Sequence, residues 1–249
     1  MQANRQDVMI CVAAKLFRDN QVAFVGVGAP NLAANLAKRM HAPDLIMIYE
    51  TGIVGARPFK MPQSVGDAGV AANSQAILGS LEIFTWVLQG GRVDLGFLGG
   101  AQVDRWGNLN STVIGDYKRP AVRLPGSGGA SDIATMAHRT VIMMPHEKRR
   151  FPADVDFITS PGFVSGREGR QRLGMIGGGP ELVITDLGVL AFDETGEMEL
   201  RSVHPGVTVD QVLAQTGWDL KVARTIESTE LPTEAELEVL RELQRQQAS

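Results

Sequence analysis

At 249 residues and 44% hydrophobic content the chain is long enough to bury a sizeable core, and its length suits one α/β domain over residues 1–249. A formal charge of −4 gives no electrostatic footprint for a polyanion, which sets aside nucleic acid and an acidic membrane surface as main partners. Cys11 is the only cysteine, so an intrachain disulfide or a cysteine-built metal site is excluded, in keeping with a reducing compartment. The opening residues lack the apolar core of a signal peptide, and no apolar run approaches the roughly 20 residues of a membrane helix. A soluble, cytoplasmic protein is expected.

Along the chain, Val8, Met9, Val12, Ala13, Leu16 and Phe17 recur at helical spacing over residues 7–18, with Cys11 off that stripe. The β-branched run Val22 to Val27 follows and runs into Gly26-Val-Gly28; Pro30 then opens a second helical pattern through Leu32, Ala33, Leu36, Ala37 and Met40. After Pro43, Asp44 to Tyr49 is apolar without alternation, the pattern of a strand buried on both faces of a parallel sheet, and it ends at Glu50. Leu81 to Gln89 reads as helix, stopped by Gly90-Gly91, and Val93 to Leu98 as a buried strand that stops at Gly99-Gly100. Further strands are expected at Thr140 to Met144, Val155 to Thr159, Leu182 to Thr185, Val189 to Phe192 and Met198 to Val203. Thr208 to Gln215 and Thr233 to Gln247 read as closing helices, the latter opened by a capping box of Thr233 and Glu236.

This alternation predicts an α/β fold, an open, mostly parallel sheet flanked by helices, whose ligands sit at the carboxyl ends of the strands. Gly26, Gly28, Gly52, Gly55, Gly99 and Gly100 all follow predicted strands. Each alone is explained by a tight turn, and as a set they mark a ligand crevice.

Most familiar chemistries fail on the residues. Gly26-Val-Gly28-Ala-Pro-Asn31 has asparagine where a dinucleotide fingerprint needs its third glycine, no phosphate loop exists, and His146-Glu147 lacks the second histidine of a zinc-protease helix. His41, His138, His146 and His204 are dispersed, so no metal is implied. Gly126-Ser127-Gly128-Gly129 is not a serine-hydrolase elbow, and its serine serves equally as a turn residue. The basic run His146 to Arg150 is either a solvated face or a set of cations, Lys148, Arg149 and Arg150, for the phosphates of a nucleotide-like ligand or for an acidic partner. Asn73, Asp104, Asn110 and Asp116 read equally as caps or turn formers. Glu50 differs from these because it ends a wholly apolar strand. It is either a carboxylate held at the crevice edge, with environment-controlled nucleophilicity, or a glutamate that has emerged into a solvated loop.

The stretch Tyr49-Glu50-Thr-Gly52-Ile-Val-Gly55-Ala-Arg-Pro58 resembles the glutamate-glycine motif of class I CoA-transferase B subunits. The resemblance continues through Val25-Gly26-Val-Gly28, Leu98-Gly99-Gly100-Ala-Gln102-Val-Asp104, Gly107-Asn108, Thr112-Val-Ile-Gly115-Asp116-Tyr117, Gly126-Ser-Gly128-Gly129-Ala130 and Ser202-Val-His204-Pro-Gly206, and so covers nearly the whole chain. Among the family it is similar to B subunits of 3-oxoadipate and glutaconate CoA-transferases. Segments 146–151 and 159–162 lean toward the glutaconate type, and segments 88–94 and 202–206 toward the oxoadipate type.

What the resemblance implies is a transferase that moves CoA between small dicarboxylic acids, with Glu50 as the covalent catalyst and a glutamyl-CoA thioester as intermediate. It implies Gly128 and Gly129 as oxyanion and CoA-binding residues, and Gly26, Gly28, Gly52, Gly99, Gly100 and Gln102 as pocket lining. It implies coenzyme A as co-substrate without a tightly bound cofactor, and an A subunit of the same family in a heterotetramer or larger assembly. One alternative is a cofactor-free decarboxylase of 3-methylglutaconyl-CoA on the same fold. A ring-opening hydrolase type lacks the B-subunit glutamate, so Glu50 counts against it. A second alternative, from another class, is a non-catalytic chain that binds CoA-like ligands or supports a partner.

Overall fold

The protein is represented by a computed structural model that describes residues 3–58, 61, 62, 64 and 66–248. Two compact units divide the chain: residues 1–97 with 230–249, and residues 98–229.

In the first unit, α1 (Arg5–Ala14) is opened by a capping box, with Asn4 accepting from the Asp7 N–H and Asp7 accepting from the Asn4 N–H. β1 (Val22–Phe24) leads into α2 (Ala29–Met40), then β2 (Ile46–Ile48), β3 (Ile53–Val54), β4 (Ala76–Ile77), a helical turn α3 (Ser80–Glu82) that widens into π-type turns over Ile83–Gln89, and β5 (Leu95–Leu98). The strands run in the order β4-β3-β2-β1-β5. β1 pairs in parallel with both β2 and β5, as the crossover helix requires. β2–β3, a short hairpin, and β3–β4, whose strands are separated by residues 55–75, are antiparallel and extend the parallel pairs.

The second unit carries two small ribbons, β6 (Gln102–Val103) with β7 (Leu109–Asn110) and β8 (Val113–Ile114) with β9 (Val122–Arg123). After α4 (Ala130–Met136) come β10 (Arg139–Met143), α5 (Arg167–Arg172), β11 (Pro180–Ile184), β12 (Gly188–Phe192), β13 (Met198–Val203), α6 (Val209–Ala214) and β14 (Lys221–Ser228). The order is β10-β11-β12-β13-β14, parallel at the two outer pairs and antiparallel between. The closing helix α7 (Glu234–Ala248) belongs to the first unit, where it packs on α1 and α2.

Each unit thus has the open α/β organisation expected, and two local expectations are corrected. Residues 155–159 form no strand: the N–H groups of Thr159 and Ser160 both bond to the Leu109 carbonyl, and Asp156 N–H goes to the Gln102 side chain. β14 is a strand beyond those expected, because its alternation is between exposed and half-exposed residues and carries no apolar signal. Cys11 is buried, since α1 is covered by α2 on one side and α7 on another; burial first, then the carboxylates of Glu236 and Asp7, push its thiol up to about 12, leaving it a small hydrophobe.

Asp7 is fully buried, and its carboxylate takes bonds from Arg241 on α7. A buried carboxylate that loses its guanidinium keeps the desolvation cost without the Coulombic return. Arg241→Met is therefore expected to lower unfolding free energy by about 3 kcal/mol in denaturant titration. Arg39→Gln, which removes an exposed pair with Glu242, should cost less than about 1 kcal/mol.

Candidate active site

β2 and β3 are joined by the tight turn Tyr49-Glu50-Thr51-Gly52, with Gly52 N–H donating to the Tyr49 carbonyl at 3.0 Å and Tyr49 N–H to the Ile53 carbonyl at 3.0 Å. Glu50 and Thr51 are its two central residues. Tyr49 before them is buried, its phenol hydrogen-bonded to Asn31 Oδ1 at 3.0 Å and pushed up by burial, and it pegs the turn to α2. Glu50 itself is half-buried. Ser80, at the start of α3, donates its hydroxyl to the Glu50 carbonyl at 2.8 Å, and Leu78 N–H donates to the Gly52 carbonyl at 2.9 Å. A Cβ on Gly52 would lie 1.9 Å from the Leu78 carbonyl oxygen, and its φ is +104°, so the turn admits only glycine there. Gly26 and Gly28, beyond β1, have open space where a Cβ would stand, and Gly28 caps α2. Glu50, Gly26, Gly28 and Gly52 therefore all lie at strand ends of the first unit.

The remaining predicted residues lie in the second unit. Gly128 adopts φ +49°, and Gly129 precedes α4. α4 is anchored at its other end by Arg170, which is 4% exposed and donates to the carbonyls of Ala134, Gly162 and Gly177 at 2.9, 2.8 and 3.0 Å; burial draws its guanidinium down to about 10. A Cβ on Gly100 would lie 3.1 and 3.2 Å from the carbonyl oxygens of Asn110 and Gln102, so a side chain there would crowd β6 and β7. Gln102 is buried, with its amide fully used: Nε2 donates to Asp156, and Oε1 accepts from Asn110 Nδ2 and the Asp156 N–H. Asp104, Asn110 and Asp116 are turn formers, each accepting from main-chain N–H groups two to four residues on.

Gly100 and Gln102 do line a cleft, of about 520 Å³, together with Ala101, Ile114, Val122, Leu124, Arg149 and Arg150. Two members of the basic run thus face a cavity while Lys148 is exposed. Their turn is bolted down by its neighbours: His146 and Phe151 stack at 3.9 Å, with the imidazole between the hydroxyls of Thr185 and Thr216. Ser80, Arg170 and the apolar cleft wall lie outside what the sequence pattern signals. Each acts through a partner distant in sequence, which no local pattern records. Among the described residues no group of three or more His, Cys, Asp or Glu is placed to hold a metal ion, and no helix is long and apolar enough to cross a membrane.

The family model described as Coenzyme A transferase matches residues 8–215, and the chain belongs to that family. It is 46% identical to the B subunit of the 3-oxoadipate CoA-transferase of Pseudomonas knackmussii over 244 residues, covering 98% of this chain and 94% of the relative. It is 43% identical to the B subunit of the glutaconate CoA-transferase of Acidaminococcus fermentans, covering 95% and 91%. The crystal structure of the glutaconate coenzyme A-transferase from that organism superposes with a TM-score of 0.90 at 40% identity, covering 97% of this chain and 94% of the matched one, so the fold is that of the class I CoA-transferases. The decarboxylase AibA/AibB superposes at 0.83 with 24% identity over 96% and 94% of the two chains, a likeness of fold alone.

His146 supplies a test of how the basic turn is held. Burial lowers its pKa from 6.5 to about 4, so the folded chain holds it neutral where the unfolded chain takes up a proton. Acid therefore favours unfolding: stability should fall by roughly 3 kcal/mol from pH 6.5 to pH 4 through this group, level off below, and be unaffected above. The corresponding slope in unfolding free energy against pH should vanish in His146→Gln.

Proposed function

We propose that this chain is the B subunit of a heteromeric CoA-transferase that moves CoA between small dicarboxylic acids of the 3-oxoadipate or glutaconate type. The observation that carries this reading is the placement of Glu50: it stands half-buried on a turn beyond a strand end, with the turn fixed by Ser80, Leu78 and Tyr49. A turn anchored through its main chain keeps its place while covalent bonds form and break at the carboxylate it carries.

In the proposed cycle a Glu50 oxygen attacks the acyl-CoA carbonyl and expels CoA thiolate, giving a mixed anhydride. The thiolate then attacks the Glu50 carbonyl, releasing the donor acid and leaving a glutamyl-CoA thioester. The acceptor carboxylate runs the same two steps in reverse. Each attack passes through a tetrahedral oxyanion, and main-chain N–H groups at Gly128 and Gly129 are assigned to it, where the absence of side chains leaves access. Gly26, Gly28, Gly52, Gly99, Gly100 and Gln102 are assigned to the pocket. Coenzyme A is the co-substrate, no tightly bound cofactor takes part, and the cytoplasm is the site of action.

An anhydride and a thioester both hydrolyse in water, so the turn needs a cover. Ile77, Leu81 and Trp86 are 65%, 75% and 65% exposed on β4 and the helix that begins at Ser80, beside that turn. Exposed large apolar side chains grouped in this way suit burial against a partner. We assign that face to an A subunit of the same family, in a heterotetramer or larger assembly.

Intact-mass analysis of the complex after incubation with 3-oxoadipyl-CoA or glutaconyl-CoA, with borohydride to trap a thioester, is expected to place a change on Glu50. Glu50→Gln should lose that change and at least about 1,000-fold in turnover, since no other group replaces a covalent nucleophile. Release of CO2 with Glu50 unmodified would establish a decarboxylase instead, and indifference of the complex to Glu50→Gln would make the chain a non-catalytic binding component.

A further inference from the structure

The cleft of the second unit is built asymmetrically. Ile114, Val122 and Leu124, from β8, β9 and the residues after it, supply apolar lining, whereas Arg149 and Arg150 are its only charged lining residues. Gln102, the other polar side chain there, has both ends of its amide committed to Asn110 and Asp156. Asp156 is not among the lining residues, and its carboxylate is already held by Gln102 and the Gly115 N–H.

The two arginines are not equivalent. Arg149 has a 77% exposed side chain and donates its Nε to Glu147 at 2.6 Å. Arg150 is 27% exposed and stands 3.5 Å from the same carboxylate, with its buried Nε making no hydrogen bond. Glu147 thus serves both Arg149 and Arg150, so two guanidinium groups share one carboxylate. A guanidinium kept partly out of water with donors unspent has a strong preference for an anion. Its position is not left to solvent: Arg150 N–H bonds to the Glu147 carbonyl at 2.7 Å, Lys148 N–H to the Gln215 side chain, and the following Phe151 is buried on His146 with its carbonyl taking the Gly217 N–H. The turn also packs against β6, which carries Gln102. A preorganised cation at one side of an apolar slot matches a flexible chain that ends in an anion.

We propose that this cleft is an anion-recognition site in which Arg150, supported by Arg149 at the rim, holds the charged end of a chain-like substrate laid along Ile114, Val122 and Leu124. The inference rests on the transferase reading for the source of the ligand. The shared chemistry is a phosphate or carboxylate oxygen on a flexible chain, supplied by coenzyme A or by the far end of the dicarboxylate. Arg150 is assigned a positioning and specificity role here, with no part in bond making.

The test is direct binding by calorimetry to the full chain and to its complex with the copurified partner. The probes are coenzyme A, phosphate-free pantetheine, glutarate and its uncharged diamide glutaramide. Arg150→Gln is expected to weaken one anionic ligand by roughly tenfold to a hundredfold, the range of a charge-assisted bond to a guanidinium, and to leave its uncharged counterpart unchanged. Selective loss of coenzyme A over pantetheine assigns the phosphate, and selective loss of glutarate over glutaramide assigns the carboxylate. Arg150→Lys should restore part of the loss. Val122→Trp, on an exposed hairpin position where folding is tolerant, should fill the slot and weaken charged and uncharged members of the affected pair alike. Unchanged affinity of Arg150→Gln for every probe, equal loss for charged and uncharged partners, or no binding of either anion by the unsubstituted protein would overturn the proposal. Because binding is read without turnover, a trapped Glu50 adduct with unaltered Arg150→Gln affinities sinks this inference alone, while selective anion binding without any adduct sinks the transferase reading alone.

Discussion

The hairpin that presents Glu50 exists because two main chains meet where no side chain fits. Gly52 lies against the Leu78 carbonyl so closely that a Cβ would sit 1.9 Å from its oxygen, and the same contact gives the 2.9 Å bond from Leu78 N–H to the Gly52 carbonyl. From it follow the pairing of Ile53 with Ile77 and the approach of Ser80 to the Glu50 carbonyl. Displacing β4 by the width of a methyl group would break the register of β3, free the turn and leave the glutamate on a mobile loop. The nucleophile proposed at Glu50 would have to be held to within a fraction of an ångström to gain from proximity, and the backbone contacts around the turn are suited to that.

The second unit reaches the same end by a different route, with buried polar groups that replace secondary structure in its irregular segments. Asp104 accepts from Trp106 N–H, Asn108 N–H and the Asn108 amide; Asn108 in turn accepts from Gly162 and Val164 N–H and donates to the Val164 carbonyl. Val164, a β-branched residue held at φ +66°, is kept there by that asparagine, which acts as a surrogate strand. Burial pushes the Asp104 carboxyl up, and the bonds it accepts pull it back. Gln102, Asn110 and Asp156 form a parallel set, and Arg170 spends its donors on carbonyls rather than on a carboxylate. Such networks are costly when incomplete and rigid when complete, which suits loops that must line a cleft without a ladder of their own.

The chain shares its fold with proteins named for different acyl chemistries. The side chains in and around the clefts are where discrimination can reside, because a buried donor left without its acceptor penalises the wrong ligand more than a missing contact does. This places Arg150 and its apolar neighbours, rather than Glu50, among the residues expected to distinguish one acyl-CoA or acid from another.

The sequence by itself determined the features that depend on neighbours in the chain. The apolar block before Glu50, the Gly26-Val-Gly28 turn into a proline-started helix, and the capping box of Thr233 and Glu236 all read correctly because strand burial, turn geometry and capping are local. The glutamate-glycine motif carried the family for the same reason. Tertiary structure alone decided that Glu50 tips a hairpin, because β3 has two residues and is pinned by pairing with β4, more than twenty positions away, as well as with β2. It also decided that Cys11 is inert under two helices, that residues 155–159 are tied down as a loop, and that the basic run divides into a buried histidine, an exposed lysine and two arginines at a cleft. In each case the outcome was set by what packs against the segment, and packing between distant segments leaves no periodicity in the residues it joins.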